Sequence, residues 1–345
     1  MVRRRSSLSQ SNGPGAEQYA PGEGEEHTDA GGDNAEAGPA AANTALVAAR
    51  AGSELQRLIA KAHPPGLYLV ATPIGNLGDI SLRAIALLAS ADTVYAEDTR
   101  HSGRLLSHYG IKARLRPYHE HNAERERPAI LSALARGERL ALISDAGTPL
   151  ISDPGFKLVR DSAEAGHNVF SVPGASAPLS ALVCSGLPSD TFLFAGFLPS
   201  RQQARLTRIR ELAGISATLI FFEAPSRIAE TLVDLADGLG DRLAVVAREL
   251  TKLNEKLARG SLREIAADFA VRESIKGEIV IVVGGAIAGD VSEAEIEARL
   301  ANELPAMSLR DAAKSVAEDL GVARKRVYEI GLRLQRGGNG SRDDA

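Results

Sequence analysis

The sequence is poor in cysteine and aromatic residues and contains no tryptophan. Its 345 residues include a single cysteine, Cys184, with two Met, six Tyr and eight Phe. One cysteine excludes an internal disulfide and fits a reducing compartment, so we expect a cytoplasmic protein. No apolar run approaches the roughly 20 residues that span a bilayer, and the charged N-terminus is followed by no apolar segment. We therefore expect neither a membrane partner nor a secretory signal.

Excess charge is also scarce outside the N-terminus. The net charge is −4, and residues 1–43, with three Arg and seven Asp or Glu, account for all of it. This segment is rich in Gly, Ala, Glu, Pro and Ser, a composition that cannot bury enough apolar surface to fold. We predict that 1–43 is a disordered tail and that 44–63 is a loose lead-in helix, so that residues 1–63 lie outside the folded domains.

Residues 144–155, SDAGTPLISDPG, contain two Asp but no Lys, Arg, His or aromatic residue. A phosphate-binding loop needs a Lys, and a dinucleotide loop needs three glycines at fixed spacing, so both are excluded. Two carboxylates repel phosphate and suit a ligand that offers hydroxyls or positive charge. The alternative is an ordinary turn, because Gly, Pro and Asp are common turn residues.

Short apolar runs alternate with helical patterns from about Leu67. In the first half the runs are 67–72, 93–98, 140–144 and 168–173, and the helical patterns are 81–91, 123–137 and 156–166. This alternation predicts a parallel sheet covered on both faces. A second set of runs follows at 191–197, 217–224, 242–250 and 278–285. We predict two α/β domains, 64–176 and 177–287, that meet near 173–178.

The C-terminal part, 288–345, has a different pattern. Residues 308–320 read as a helix with Ser308 as its N-cap, and a Gly–Val turn separates it from a basic helix at 323–335. This is the outline of a helix-turn-helix unit, and it is equally that of a small αα-hairpin. We expect the residues after it to be disordered.

Three segments are locally basic: 99–117, 199–210 and 322–337. Basic patches in a neutral body can bind polyanions such as nucleic acid. The alternative is a solvated helix face that binds nothing.

Two further loops resemble the acidic loop at 144–155 in position. The loops 72–79 and 173–178 also follow strands, and ligands of open α/β sheets bind outside the carboxyl ends of the strands, where such loops meet. We therefore predict a ligand cleft where the three loops converge.

At this point the residues carry a resemblance. The segments LVATPIGNLGDISLRA, AEDTRHSGRLL, ISDAGTPLISDPG, PGASAPLSAL, GFLP, FFEAPSRI and ARELTK, in this order, resemble the ribosomal RNA small subunit methyltransferase I family of the tetrapyrrole methylase superfamily. The resemblance covers about 67–336. It implies an α/β protein with two tetrapyrrole-methylase-type domains, a cofactor cleft between them, and a small all-α helix-turn-helix-like unit. It also implies a homodimer that binds S-adenosylmethionine, needs no metal, and methylates the ribose 2′-hydroxyl of a decoding-region (P-site) cytidine in 16S rRNA of the small ribosomal subunit.

This cofactor would explain the acidic loop, because it carries hydroxyls and cationic groups but no phosphate. The cofactor-binding residues that we predict lie in the strand-end loops and the second domain: Pro73, Asp145, Gly147, Thr148, Pro149, Ile151, Ser152, Gly174, Ala175, Ser176, Glu223, Arg248 and Glu278. Asp145 can accept from hydroxyls or pair with a cation, and otherwise it caps a turn. We expect Asp153, just before Pro154, to cap the following helix rather than to contact a ligand.

A ribose hydroxyl is a poor acid, so a nearby base or acceptor would help its methylation. The candidates are Glu97 and Asp98 at the end of the second apolar run, with Arg100 on a phosphate, and His121 in the segment HEHN (119–122). The alternative is a structural ion pair of Asp98 with Arg100 and surface histidines.

Two other readings remain open from the residues. One is a tetrapyrrole or diphthine-type methyltransferase of the same superfamily, which has no evident need for the Arg-rich runs or the C-terminal helices. The other is a ligand-sensing regulator that binds DNA through residues 308–336.

Overall fold

The structure is a computed structural model in which residues 39–272, 274–286, 293–320 and 322–339 are described. The chain forms two units, Met1–Arg50 and Ala51–Ala345. The described residues of the first unit belong to the start of helix α1 (Pro39–Ala60). This lead-in helix begins at Pro39 rather than at 44, and the remainder of the predicted disordered tail, 1–38, lies outside the described residues.

The first sheet is entirely parallel, as predicted. Its strands are β1 (Gly66–Val70), β2 (Thr93–Ala96), β3 (Leu115–Pro117), β4 (Arg139–Ile143) and β5 (Val169–Val172), in the order β3-β2-β4-β1-β5. The connecting helices are α2 (Leu82–Ser90), α3 (Thr99–His108), α4 (Ala123–Ala135) and α5 (Phe156–Glu164). The short edge strand β3 has no apolar run and was not expected.

Alternate residues of these strands face two separate apolar layers. Val70, Val94 and Ile143 pack in the layer that contains α2 and α3, whereas Leu140 and Leu142 pack in the layer with residues of α4 and α5. Each buried aliphatic side chain contributes about 1.5–3 kcal/mol. Burial on both faces explains why the strands are continuously apolar.

The second sheet is mixed. Its strands are β6 (Phe192–Phe197), β7 (Thr218–Glu223), β8 (Leu243–Arg248), β9 (Lys256–Ser261) and β10 (Ile279–Val283), in the order β6-β7-β10-β8-β9. Only β6 and β7 pair in parallel. The helices are α6 (Ala177–Ser185), α7 (Gln202–Leu212), α8 (Ile228–Leu239) and α9 (Leu262–Ala270). Strand β9 is an edge strand with the sequence KLARGS. It contains no apolar run and was therefore not predicted.

Helix α6 joins the two halves. Its Ala181 and Leu182 pack with Ile74, from the loop after β1, and with Ile220 and Val280 of the second sheet. This shared apolar cluster fixes the strand-end loops of the first sheet against the second sheet. Cys184 is exposed at the far end of α6.

The C-terminal unit is helical and consists of α10 (Glu293–Glu303), α11 (Leu309–Leu320) and α12 (Arg324–Asn339). The backbone N–H of Asp311 donates to the hydroxyl of Ser308 (3.2 Å), which confirms Ser308 as the cap of α11. Ile296 and Leu300 of α10 pack against α11 and α12, so this unit has one helix more than the two-helix pattern in the sequence. Within the described residues, no helix is long and apolar enough to cross a membrane.

Candidate active site

Backbone and side-chain hydrogen bonds tie the three strand-end loops together. Thr72 and Gly147 exchange both backbone bonds, at 2.9 and 3.1 Å, and the Thr148 hydroxyl donates to the carbonyl of Ala175 (3.2 Å). Gly147 has φ +79°, and a Cβ there would lie 3.2 Å from Cγ2 of Ile74. The loops after β1, β4 and β5 therefore converge at one edge of the sheet, and the glycine is required where two of them meet.

A cavity of about 420 Å³ opens at this convergence. Aromatic and proline side chains from the second sheet and α6 form an apolar wall: Phe197, Phe222, Pro178 and Pro225. The charged residues of the described lining are all acidic: Asp145, Asp153, Glu223 and Glu278. Because no Lys, Arg or His lies among these lining residues, the cavity suits an uncharged or cationic ligand with an aromatic group and disfavours a phosphate.

Most of the residues predicted to bind a cofactor line this cavity, namely Asp145, Gly147, Thr148, Ile151, Ser152, Ser176, Glu223 and Glu278. Pro73, Pro149 and Gly174 belong to the same loops but are not among the lining residues, and a Cβ on Gly174 would lie 2.9 Å from that of Ala71. Ala175 takes part through its carbonyl oxygen.

Arg248 does not belong to this cavity. It lines a separate one with Lys256, Arg259 and Arg272, on the face of the second sheet that α9 covers. Side chains alternate along β8, so Ala247 packs towards α6 and Arg248 points the other way. The prediction that Arg248 binds the cofactor is corrected on this ground.

Asp145 both lines the cavity and fixes a neighbouring loop. Its Oδ1 accepts from the backbone N–H of Asp98 (3.0 Å), directly after β2. The carboxylate thus connects the ends of β4 and β2 rather than capping its own turn, and its second oxygen is the one free to meet a ligand.

Neighbouring cations partly compensate the negative charges of Glu223 and Glu278. The buried Glu223 carboxylate accepts from the N–H of Ala224 (2.6 Å) and the hydroxyl of Thr231 (2.8 Å), and it pairs with Arg227. The Glu278 carboxylate is exposed and lies 3.3 Å from Nζ of Lys252. These two residues shape the wall, and the negative charge that faces a ligand is concentrated at Asp145 and Asp153.

Asp153 is not the helix cap that we expected. Helix α5 begins at Phe156 after Gly155, and no side chain caps it. The pKa of Asp153 is raised to about 6: burial is the largest cause, the charges of Glu97 and Asp145 add to it, and a hydrogen bond with Ser144 opposes them.

Among the predicted catalytic residues, Glu97 has the most perturbed environment. Burial raises its pKa, the charge of Asp145 adds to the effect, and His119 opposes it. A carboxyl group with a raised pKa at a cleft is a typical candidate for proton transfer.

Asp98 and Arg100 form the ion pair of the alternative interpretation. Asp98 caps α3 by accepting from the N–H of Arg100 (2.8 Å), and the Arg100 guanidinium lies 3.4 Å from the same carboxylate. Hydrogen bonds from the Arg100 backbone and side chain lower the pKa of Asp98. His121 is exposed, and its ring centroid lies 6.0 Å from that of His119.

A second cavity, of about 710 Å³, adjoins the first, and Ser152 and Asp153 line both. Its wall includes four acids, two cations, a histidine, a buried tyrosine and an exposed phenylalanine: Glu97, Glu120, Glu124, Asp153, Arg127, Lys157, His121, Tyr118 and Phe156. Neither Arg127 nor Phe156 was predicted as a site residue, because a Phe at a helix start is ordinarily part of a core, and Asp153 was interpreted as a helix cap.

The basic segments differ in exposure. Arg100, Arg104, Lys112, Arg114 and Arg116 are all exposed. In 199–210, by contrast, Arg205 is buried and paired with Asp234, and Arg208 pairs with Glu211 (2.7 Å). Arg324, Lys325 and Arg333 are exposed on α12. Among the described residues, no three His, Cys, Asp or Glu are arranged to hold a metal ion.

Comparison with known proteins adds family evidence. Residues 66–266 match the Tetrapyrrole (Corrin/Porphyrin) Methylases, and 290–335 match the RsmI C-terminal HTH domain. A Mesorhizobium japonicum protein named Ribosomal RNA small subunit methyltransferase I is 50% identical over 272 residues, which cover 79% of this chain and 92% of that protein. The Xylella fastidiosa protein of the same name is 49% identical over 271 residues, covering 77% and 98%.

A solved structure supports the fold alone. The conserved hypothetical protein of Aeropyrum pernix K1 aligns with a TM-score of 0.53 and 17% identity, covering 80% of this chain and 98% of that one.

Proposed function

Because the chain belongs to the ribosomal RNA small subunit methyltransferase I family, we propose that it transfers a methyl group from S-adenosylmethionine to RNA. The acceptor in this proposal is the ribose 2′-hydroxyl of a decoding-region (P-site) cytidine in 16S rRNA. Membership of this family favours an RNA substrate over the tetrapyrrole, diphthine-type and DNA-binding alternatives.

The composition of the first cavity carries the cofactor proposal. Its charged lining residues in the described chain are acidic, and its opposite wall is aromatic and apolar. S-adenosylmethionine presents an aromatic base, hydroxyls and cationic groups, which match these two walls. When bound, it supplies a methyl group on a positively charged sulfur, which makes the methyl carbon electrophilic.

The residues of this chain then have definable tasks. The free carboxylate oxygen of Asp145 can accept from hydroxyl or ammonium groups, and the hydroxyl of Ser152 can donate or accept beside it. The bonds between Thr72 and Gly147 and between Thr148 and Ala175 hold the loops in place before a ligand arrives. Prior positioning of this kind lowers the entropic part of the barrier to methyl transfer.

The exposed basic residues support an RNA partner. Arg104, Lys112, Arg114 and Arg116 lie on α3 and around β3, and the helical unit exposes Arg324 and Lys325, whereas its exposed Arg333 pairs with Glu293 (2.9 Å). Exposed cations bind phosphates and release counterions. We propose that these two groups contact the small-subunit rRNA, and that the protein acts as a cytoplasmic homodimer, as the resemblance of its motifs implies.

The decisive experiment uses methyl-labelled S-adenosylmethionine and small ribosomal subunits that lack the modification. We expect label in 16S rRNA, recovered after digestion as a 2′-O-methylated cytidine dinucleotide that resists alkali. Label on a base, on a ribosomal protein or on an added tetrapyrrole would overturn the proposal. Free 16S rRNA in a parallel reaction shows whether the assembled subunit is required.

A further inference from the structure

The second cavity lies directly beside the proposed cofactor cavity. It is the larger of the two, about 710 Å³ against 420 Å³, and the backbone turn at Ser152 and Asp153 forms the boundary between them. Nothing in the cofactor proposal uses it. A ligand in the second cavity would place one of its groups at Asp153, next to whatever occupies the first.

The wall of this cavity offers two kinds of polar group. The carboxylates of Glu97 and Asp153 lie on the side of the second cavity that borders the first. On the other side lies Arg127, whose Nε contacts Asp161 (2.9 Å) while its buried Nη1 has no hydrogen-bond partner among the described residues. A buried donor without a partner is uncommon and points to a ligand acceptor that would complete it.

The rim carries an exposed aromatic ring. Phe156, the first residue of α5, is 69% exposed, and Lys157 beside it has only a 3.5 Å contact with the exposed Glu124. A large apolar side chain at this exposure contributes little to the fold, whereas aromatic rings on RNA-binding surfaces commonly stack on bases.

We propose that the second cavity holds the target nucleotide, with its 2′-hydroxyl hydrogen-bonded to Asp153 as proton acceptor and its base stacked on Phe156. This inference rests on the proposed rRNA ribose methylation. It adds the pocket for the target nucleotide and the residue that accepts the hydroxyl proton. A cavity of this size accommodates a single nucleotide that has left its base stack.

The chemical step is balanced within this arrangement. The 2′-oxygen forms a bond to the methyl carbon, the electrons of the carbon–sulfur bond remain on sulfur, and the hydroxyl proton passes to a carboxylate oxygen of Asp153. The sulfonium charge and the carboxylate charge disappear together. No further reactant is needed.

The surroundings of Asp153 adapt it to this role. The polar and charged groups that face it or share its cavities include Glu97 after β2, Ser144 and Asp145 after β4, His119, Glu120 and His121 before α4, Glu124 and Arg127 of α4, Lys157 of α5, and Glu223 and Glu278 beside the second sheet. Burial and the charges of Glu97 and Asp145 bring its pKa to about 6, and a base works best when its pKa lies near the working pH.

The backbone beside Asp153 is held in an unfavourable conformation. Leu150 and Ser152 have φ of 73° and 68°, a region that residues with a side chain seldom adopt. Strain of this kind persists where the surrounding structure fixes it, and it is frequent in ligand-contacting loops. Here it directs Asp153 to the boundary of both cavities.

The first test compares Asp153→Asn and Asp153→Glu with the wild type at saturating RNA. With S-adenosylmethionine and RNA both saturating, we expect Asp153→Asn to lower kcat by about 100-fold or more, a loss that any change in cofactor affinity measured by calorimetry cannot account for, and we expect Asp153→Glu to recover part of the rate. The wild-type kcat should fall as the pH is lowered through about 6, and Asp153→Asn should lose this dependence. A normal rate and pH profile in Asp153→Asn would overturn the assignment.

The second test concerns the base. Phe156→Ala should weaken RNA binding by about 5- to 100-fold, which corresponds to one lost stacking contact, and Phe156→Tyr should retain it. Phe192→Ala, at another exposed phenylalanine (43%) on β6, serves as the matched control. Equal RNA affinities in all three variants would refute the pocket. If the wild type itself methylates no ribose, the proposed function fails, and this outcome is separate from the results for the variants.

Discussion

Nε of Arg205 lies 2.6 Å from Oδ2 of Asp234, and both side chains are almost inaccessible to solvent. The guanidinium also contacts Glu230 (3.4 Å) and the carbonyl of Ser200 (3.3 Å). An arginine that belongs to a basic run in the sequence is therefore a bridge between α7 and α8. The interpretation of 199–210 as an RNA-binding face does not hold for this residue.

Arg205→Ala should destabilise the protein rather than change its salt-dependent RNA binding. Removing one partner leaves Asp234 buried without its cation, which costs about 3–5 kcal/mol. Arg208→Ala, three residues away and exposed, should change the free energy of unfolding by less than about 0.5 kcal/mol. Urea unfolding of both variants gives the comparison, and equal stabilities would contradict the structural role of Arg205.

The exposed arginines around β3 are better candidates for RNA contact. Replacing Arg114 and Arg116 by Ala should flatten the slope of log affinity against log salt by up to about two units, since each phosphate contact contributes about one. Arg208→Ala is a suitable control because Arg208 is exposed but paired with Glu211. Titration of small subunits at four salt concentrations measures the slope, and an unchanged value would mean that this edge of the sheet is only solvated.

Asp145→Asn should weaken the binding of S-adenosylmethionine by about tenfold, or 1.4 kcal/mol, because the variant keeps an acceptor for the N–H of Asp98 but loses the negative charge. Its affinity for the product S-adenosylhomocysteine, which keeps the hydroxyls and the ammonium group and lacks only the methyl group and the sulfonium charge, should fall by a similar factor. Asp145→Ala, which removes the acceptor as well, should impair both ligands. Calorimetry with the two ligands tests this, and identical affinities in Asp145→Asn and wild type would argue against a cationic ligand at Asp145.

Gly147→Ala should reduce stability and cofactor affinity together. Gly147 has φ +79°, and an added Cβ would crowd Ile74, so we expect a loss of about 1–2 kcal/mol in the free energy of unfolding. Gly137 has a similar φ of +80° with no atom closer than 3.9 Å to an added Cβ. Gly137→Ala should therefore lower stability and leave cofactor binding intact. If both variants bind normally, the junction of Thr72 and Gly147 does not shape the cavity.

Asp153→Asn should stabilise the fold at neutral pH. The pKa of Asp153 is raised to about 6, so the folded state binds a proton more tightly than the unfolded state, and the ionised carboxylate opposes folding above that pH. After allowance for solvent screening, we expect a gain of about 1–2 kcal/mol at pH 7.5 that disappears near pH 4. Unfolding curves at both pH values test the sign, and a less stable variant at pH 7.5 would contradict the raised pKa.

The sequence was sufficient for the features that depend on local pattern. The eight apolar runs became β1, β2, β4–β8 and β10. The interior strands among them are buried on both faces and are therefore apolar throughout, and the edge strands β5 and β6 are apolar although they are less buried. The loops after β1, β4 and β5 could be brought together in prediction, since parallel strands end at the same edge. Edge strands β3 and β9 carry alternating or polar residues and left no such trace.

Properties that depend on residues far away in the sequence could not be predicted from local pattern. The burial of Arg205 follows from Asp234, which lies on another helix, and nothing in the run 199–210 distinguishes it from Arg208. The raised pKa of Asp153 depends on its burial and on the charge of Glu97, which follows another strand, β2. The direction of Arg248 depends on which side of β8 faces α6, and this is set by the pairing of β8 with β10.

The position of Cys184 has a practical consequence. It is the chain's single thiol, it is exposed, and it ends the helix α6 whose first turn, Ala177 and Pro178, lines the cofactor cavity. A maleimide dye would therefore attach at one defined point without any engineered substitution. Fluorescence from that dye could report ligand entry into the cleft in real time, from a helix that both halves of the protein share.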